Sequence, residues 1–175
     1  IFMISKKLNI LFLMPYPHGV AAGQRFKVEQ AYISLKNQGH SIKVDSFFDQ
    51  ETWEILYKKG YFFQKTVGTV LSWIRRIICV LTISKYDVVY NFMWVTPRGL
   101  PIAEWAVRKL SRKLIVDIDD LVYKTEGRNF FKNFFSCHFK SYYLVKNADC
   151  VVHNSPASSQ ECAQININNN AIHIP

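Results

Sequence analysis

The sequence predicts an α/β fold, a doubly wound parallel sheet in a three-layer Rossmann-like sandwich. Short apolar runs rich in Ile, Val, Leu and Phe recur along the chain, and amphipathic helical stretches separate them. Turn residues lie between the two kinds of segment. Strands that alternate with helices call for parallel pairing, because parallel neighbours need a long crossover between them. With 175 residues, 49% of them hydrophobic, the chain is large and apolar enough for one substantial core. A single domain over residues 1–175 is therefore expected.

Each element has its own signal. Asn9 to Met14 (NILFLM) is an apolar run closed by Pro15 and Pro17, the pattern of a strand buried on both faces. After the loop HGVAAGQ, Phe26, Val28, Ala31, Tyr32 and Leu35 recur at helical spacing between Arg25 and Asn37, and Gly39 supplies the stop. Ser41 to Phe48 reads as a second strand. Glu51 to Ile83 reads as helical segments broken near Gly60 and Gly68. Asp87 to Met93 is a third strand, Pro101 to Ser111 an amphipathic helix, and Lys113 to Asp117 a fourth strand ending in the acids of DIDD. A helix over Asn129 to Lys146, a strand over Cys150 to His153, a helix over Pro156 to Gln164 and a strand over Ala171 to Ile174 complete the series.

Composition narrows the function classes. Lys and Arg total 22 against 13 Asp and Glu, a formal charge of +9, so the surface attracts anions such as phosphates and lipid headgroups. No RNP-type, helix-turn-helix or zinc-finger pattern accompanies this charge, which argues against nucleic acid. Cys79, Cys137, Cys150 and Cys162 are widely spaced, with no CxxC pair or zinc spacing, and read as reduced core thiols. The N-terminal apolar run has no small-residue cleavage site after it and reads as a first strand rather than a signal peptide. The longest apolar stretch, Val67 to Ile83, has Arg75 and Arg76 at its centre, where each charge would cost roughly 2.5–3.5 kcal/mol in a spanning helix. A transmembrane span is not expected.

Two segments carry the candidate chemistry, because in open α/β sheets ligands sit beyond the carboxyl ends of the strands. The loop Pro15 to Arg25 joins the first strand to the first helix, where backbone N–H groups can meet a phosphate. Gly19 and Gly23 permit close approach, Arg25 adds a charged donor, and His18 is the one histidine placed in such a loop. The spacing is neither GxGxxG nor GxxxxGK[ST], which disfavours a dinucleotide site or P-loop. In the second segment, VDIDD, Asp117, Asp119 and Asp120 stand at a strand's carboxyl end. Acids so grouped repel one another and require a cation, a basic neighbour or a substrate hydroxyl. A metal-binding or phosphatase-type pair built on Asp117 and Asp119 is a weaker alternative, and helix capping by Asp119 or Asp120 is the plain structural one. YKKGYFFQK at Tyr57 to Lys65 and RNFFKNFFSCHFKSYYLVK at Arg128 to Lys146 mix bases with aromatics, as an interfacial helix on an anionic membrane would; core packing is the competing explanation.

Taken together, NILFLMPYP, GQRFKVEQAYISLKNQGH, YDVVYNFM, KLIVDIDDLVY, NADCVVHNSPASSQECAQ and IHIP resemble the N-terminal half of family 4 retaining glycosyltransferases, the glycosyl transferases group 1 enzymes. QRF looks like that family's first-helix start and DIDD like its strand-end acids. The resemblance covers essentially the whole chain and implies a GT-B fold, with this domain on the acceptor side. A C-terminal domain binding the nucleotide-sugar donor would follow, so the chain ending at Pro175 reads as a truncation, inactive as a transferase alone. It further implies transfer with retention to a polysaccharide or glycolipid acceptor, no metal or other cofactor, and a cytoplasmic protein peripheral to the inner membrane face where the acceptor is lipid-linked. By position, Gly23 and Arg25 fall to the donor phosphates, and Asp119 and Asp120 to the strand-end acids in the cleft near the acceptor, where catalysis is expected; from the reading of the loop and the strand end, Gly19 joins the phosphate site and His18 and Asp117 the acceptor site. Where many members carry a histidine, this chain has DIDD. The reading from another class is a non-catalytic domain that binds an anion or a partner protein.

Overall fold

The computed structural model describes residues 7–97, 100–119 and 137–174. Six strands form one parallel sheet in the order β2-β1-β3-β4-β5-β6. They are β1 (Asn9–Met14), β2 (Ser41–Ser46), β3 (Val88–Phe92), β4 (Leu114–Ile118), β5 (Cys150–His153) and β6 (Ala171–His173). The chain steps outward from β1 to β2, crosses back over β1 to β3, and then proceeds in one direction to β6. Strand order thus reverses between β1 and β3, the place at which open α/β sheets generally bind ligands.

Alternation along the central strands divides the core between the two faces of the sheet. Ile10, Phe12 and Met14 of β1 pack with Phe92 and Val28 on one face, against Tyr32 and Leu35 of α1 (Gln30–Asn37). Leu11 and Leu13, with Val89, Val116 and Val151, face the other way. There they meet Val80 of α3 (Phe62–Leu81), Val107 of α4 (Ile102–Leu110), Leu144 of α5 (Cys137–Asn147) and Cys162 of α6 (Pro156–Ile165). Helices flank both faces, and the fold is Rossmann-like. A third cluster, Phe47, Phe48 and Trp94 with Trp53 of α2 (Gln50–Leu56) and Trp73, fills the space beyond the ends of β1 and β2.

Several boundaries differ from the sequence expectation. The second strand stops at Ser46, two residues early. Of the expected helix over Asn129 to Lys146, residues 129–136 lie outside the described residues, and α5 begins at Cys137. The break near Gly60 is present, but α3 runs unbroken through Gly68. A Cβ at Gly68 would stand 2.3 Å from Thr52 Oγ1, so this glycine lets α2 and α3 pack closely rather than ending a helix.

Arg76, read as a charge inside an apolar stretch, turns inward from α3 and is fully buried. It donates to the Met14 carbonyl at 2.7 Å and the Asp45 carbonyl at 3.2 Å, with the Asp45 carboxylate 3.2 Å from its Nε. These contacts tie α3 to the ends of β1 and β2. Among the described residues no helix is long and apolar enough to cross a membrane. Cys79, Cys150 and Cys162 are free thiols.

Candidate functional site

The chain leaves β1 through Pro15 and Pro17 and enters its first helix with a π-helical turn, Gln24–Glu29, before continuing as α1. Short π segments are rare and concentrate at functional sites. Their hydrogen bonds link residues five apart, which brings Gln24 and Glu29 into register. Gln24 Nε2 donates to Glu29 Oε1 at 3.0 Å, and both side chains are buried. Gln24 also donates to the Tyr16 and Pro17 carbonyls and accepts from the Tyr16 amide. Glu29 accepts from the Gly19 amide at 2.9 Å and lies 2.9 Å from His18 Nδ1. The loop is therefore folded onto its own helix by two buried side chains.

The same turn aims Lys27 across the carboxyl edge of the sheet. Its ammonium lies 2.5 Å from Asp117 Oδ1 and 2.9 Å from Asp119 Oδ1, at the end of β4. Asp117 is fully buried, and its second oxygen accepts a hydrogen bond from the Tyr90 hydroxyl on β3. Burial pushes the Asp117 carboxyl above the usual carboxylate range, against the lowering effect of Lys27 and Tyr90; nearby Asp119 adds to the rise. Burial, and then the charge of Asp117, raise the Tyr90 phenol. Asp119 is partly exposed, and a Cβ on Gly23 would stand 2.9 Å from its Oδ2, so the helix start lies directly against this carboxylate. Beside the cluster Met93 holds a left-handed backbone, φ 61°, while its N–H donates to the Asp117 carbonyl at 2.8 Å.

The expected residues thus fall into two groups. Gly23, Asp117 and Asp119 come together at the carboxyl edge, at the end of β4 and one strand from the reversal. His18 and Gly19 belong to the self-folded loop: the Gly19 amide is engaged by Glu29, and His18 also contacts the Tyr32 hydroxyl at 2.6 Å. Arg25 projects into solvent and stacks on Phe26 at 4.7 Å. Asp120 lies outside the described residues.

Sequence reasoning missed Lys27, Tyr90, Gln24 and Glu29. Lys27 carried a signal, since it stands four residues after Gly23 and so on the face of the helix that Gly23 presents to the acids. Of the three ways strand-end acids can be held, the molecule uses the basic neighbour. Among the described residues there is no group of three or more His, Cys, Asp or Glu placed to hold a metal ion.

Fold and site together define a Rossmann-like α/β protein with a charged cluster at the carboxyl edge of its sheet, next to the topological switch point. Compared with protein-family models and with curated proteins, the chain matches none.

Proposed function

We propose that this chain is the acceptor-side domain of a GT-B glycosyltransferase, which transfers a sugar with retention from a nucleotide-sugar donor to a polysaccharide or glycolipid acceptor. The observation that carries the reading is the Lys27, Asp117 and Asp119 cluster at the carboxyl edge of the sheet, where the helix that follows β1 reaches the acids at the end of β4, one strand from the reversal. Open α/β sheets bind their ligands there. The motif resemblance adds the reaction class.

In this reading Asp117 is a positioning residue. Buried and bonded to Tyr90, it fixes Lys27, and Lys27 in turn fixes one oxygen of Asp119. The partly exposed Asp119 carboxylate accepts a hydrogen bond from the acceptor hydroxyl and orients it towards the face from which the diphosphate departs. As the new glycosidic bond forms, the bond from the sugar to the diphosphate breaks, and the diphosphate leaves with the electron pair and takes the hydroxyl proton on its departing oxygen, so that configuration is retained. Arg25, at the helix start and open to solvent, meets that diphosphate. The donor-binding half of the reaction belongs to a second domain, so this chain alone is inactive.

The test is sugar transfer and donor hydrolysis by the full-length protein against a panel of UDP- and GDP-sugars. Asp119→Asn should lower kcat by about 10²-fold, the range for misplacing a reacting group, because the acceptor hydroxyl loses the carboxylate that orients it. Arg25→Ala should raise KM for the donor. If the wild-type full-length protein neither binds nor turns over any sugar nucleotide, the reading is wrong, and the cluster then belongs to a non-catalytic binding domain.

A further inference from the structure

We infer that the outer surface of α3, α4 and α5 docks on an anionic lipid bilayer. The observation is independent of the chemistry of the charged cluster and stands whether or not the chain belongs to a transferase.

Helix α3 packs on the sheet through Ser72, Arg76, Cys79 and Val80. On the opposite side of the same helix stand Phe63, Val67, Val70, Leu71, Ile74, Ile77, Ile78 and Leu81, at the spacing of one continuous stripe about five turns long. All eight are exposed, Phe63 by 76% and Leu81 by 71%, and no charged residue interrupts them. A helix exposed in water ordinarily puts its polar residues on this side. The stripe continues sideways. A cavity of about 480 Å³ walled by Trp73, Ile77, Leu81, Leu100 and Ala106 leads from α3 to α4. There Ile102 and Trp105 are exposed, and a second cavity of about 340 Å³ with Phe139 and Tyr143 leads on to α5. So extended an apolar surface marks an interaction site.

Charge selects the occupant. The three helices contain a single acid, Glu104, which is fully buried and lies 3.4 Å from the Lys140 ammonium. The three helices therefore present no accessible carboxylate. Cations border them instead: Lys58 and Lys59 are exposed just before α3, Lys109 is on α4 and Lys146 on α5, while Arg75 on the flank of α3 is paired with Asp49 at 2.9 Å. Exposed Tyr57, Tyr61 and Phe62 cluster with the first two lysines. An apolar stripe with aromatics and a basic rim, free of acids, is the arrangement of a helix that lies in the plane of a bilayer interface and attracts anionic headgroups. The sequence placed this feature at Tyr57 to Lys65 and Arg128 to Lys146. The exposed stripe lies on α3 instead, in the apolar stretch that the sequence weighed only as a membrane span.

The test is co-sedimentation of the chain with phosphatidylcholine vesicles, with and without phosphatidylglycerol, at low and high salt. Wild type should sediment with the anionic vesicles at low salt and be partly released at high salt. Ile74→Glu with Ile78→Glu should cut partitioning by at least about tenfold. Phe63→Ser with Leu81→Ser, at the two ends of the stripe, should weaken it as well. Lys58→Glu with Lys59→Glu should abolish the preference for phosphatidylglycerol. Failure of the wild type to sediment with anionic vesicles at low salt overturns the inference, as does undiminished binding by both stripe variants. A concentration-dependent dimer that the stripe variants dissolve, without vesicle binding, would assign the face to a second copy of the chain instead.

Discussion

Lys27→Met removes the ammonium that two carboxylates share while keeping the length and apolar stem of the side chain. Asp117 is fully buried and Lys27 only 14% exposed, so solvent replaces little of what is lost. Removing one partner of such a buried pair leaves an uncompensated charge, at a cost of about 3–4 kcal/mol at neutral pH. For a chain of this size each kcal/mol lowers Tm by about 2–4 °C, which places the expected drop at roughly 6–16 °C.

The pH dependence carries the diagnosis. Burial already raises the Asp117 carboxyl above its unfolded value, and loss of Lys27 raises it further. Below that raised value the folded state holds a proton that the unfolded state gives up, so the destabilisation shrinks as pH falls from neutrality towards the unfolded pKa. Asp117→Asn in the Lys27→Met background should restore much of the loss at neutral pH, because the orphaned charge is gone. Thermal unfolding followed by circular dichroism at several pH values measures all three. A drop under about 3 °C at neutral pH would show that the pair contributes no more than a surface ion pair. A drop that is independent of pH, or a double variant as unstable as the single one, would refute the buried-charge account.

Two further outcomes follow from local geometry. Gly68→Ala should destabilise by about 1–2 kcal/mol despite alanine's better helix propensity, because its Cβ meets Thr52, and Thr52→Ala in the same background should reverse the sign; denaturant midpoints decide this. Asp49 caps α2 by accepting from the Thr52 amide at 2.8 Å, so Asp49→Ala should cost about 1 kcal/mol at neutral pH. Burial works against the Asp49 carboxylate, but the bonds from Thr52 and the Arg75 charge hold its pKa below the ordinary value. Its contribution is therefore present above the unfolded pKa and fades as pH falls through the folded one, and the two proteins' denaturant midpoints should converge in acid.

The sheet was legible in the sequence because strands buried on both faces leave uninterrupted apolar runs, and NILFLM, VVYNF and CVVH fall in observed strands. Gly68 was misread because a glycine that ends a helix and one that admits a neighbouring helix look alike without knowledge of Thr52. The acids of DIDD were legible from their place at a strand's carboxyl end and their mutual repulsion, yet the residue that answers them stands 90 positions away from Asp117. Arg25 lies closer to the loop glycines, and the four-residue spacing of Lys27 from Gly23 points to the acids only once Gly23 is known to face them. The stripe on α3 was invisible for the opposite reason: the same run of Val, Leu and Ile describes a helix buried in a core and a helix turned outward, and only the sheet's position distinguishes them.

The π turn at Gln24–Glu29 holds one residue more than an α-helix would need for the same rise, so it behaves as an insertion stored inside a helix. Deleting a single residue there would let the segment relax into regular α form with its flanks in place, but the five-residue spacing that pairs Gln24 with Glu29 would be lost. The loop would then lose its fastening. Length at this point of the chain is therefore as strictly constrained as identity, and relatives that keep the acids on β4 should tolerate substitution between Gly23 and Gln30 far better than loss of one residue.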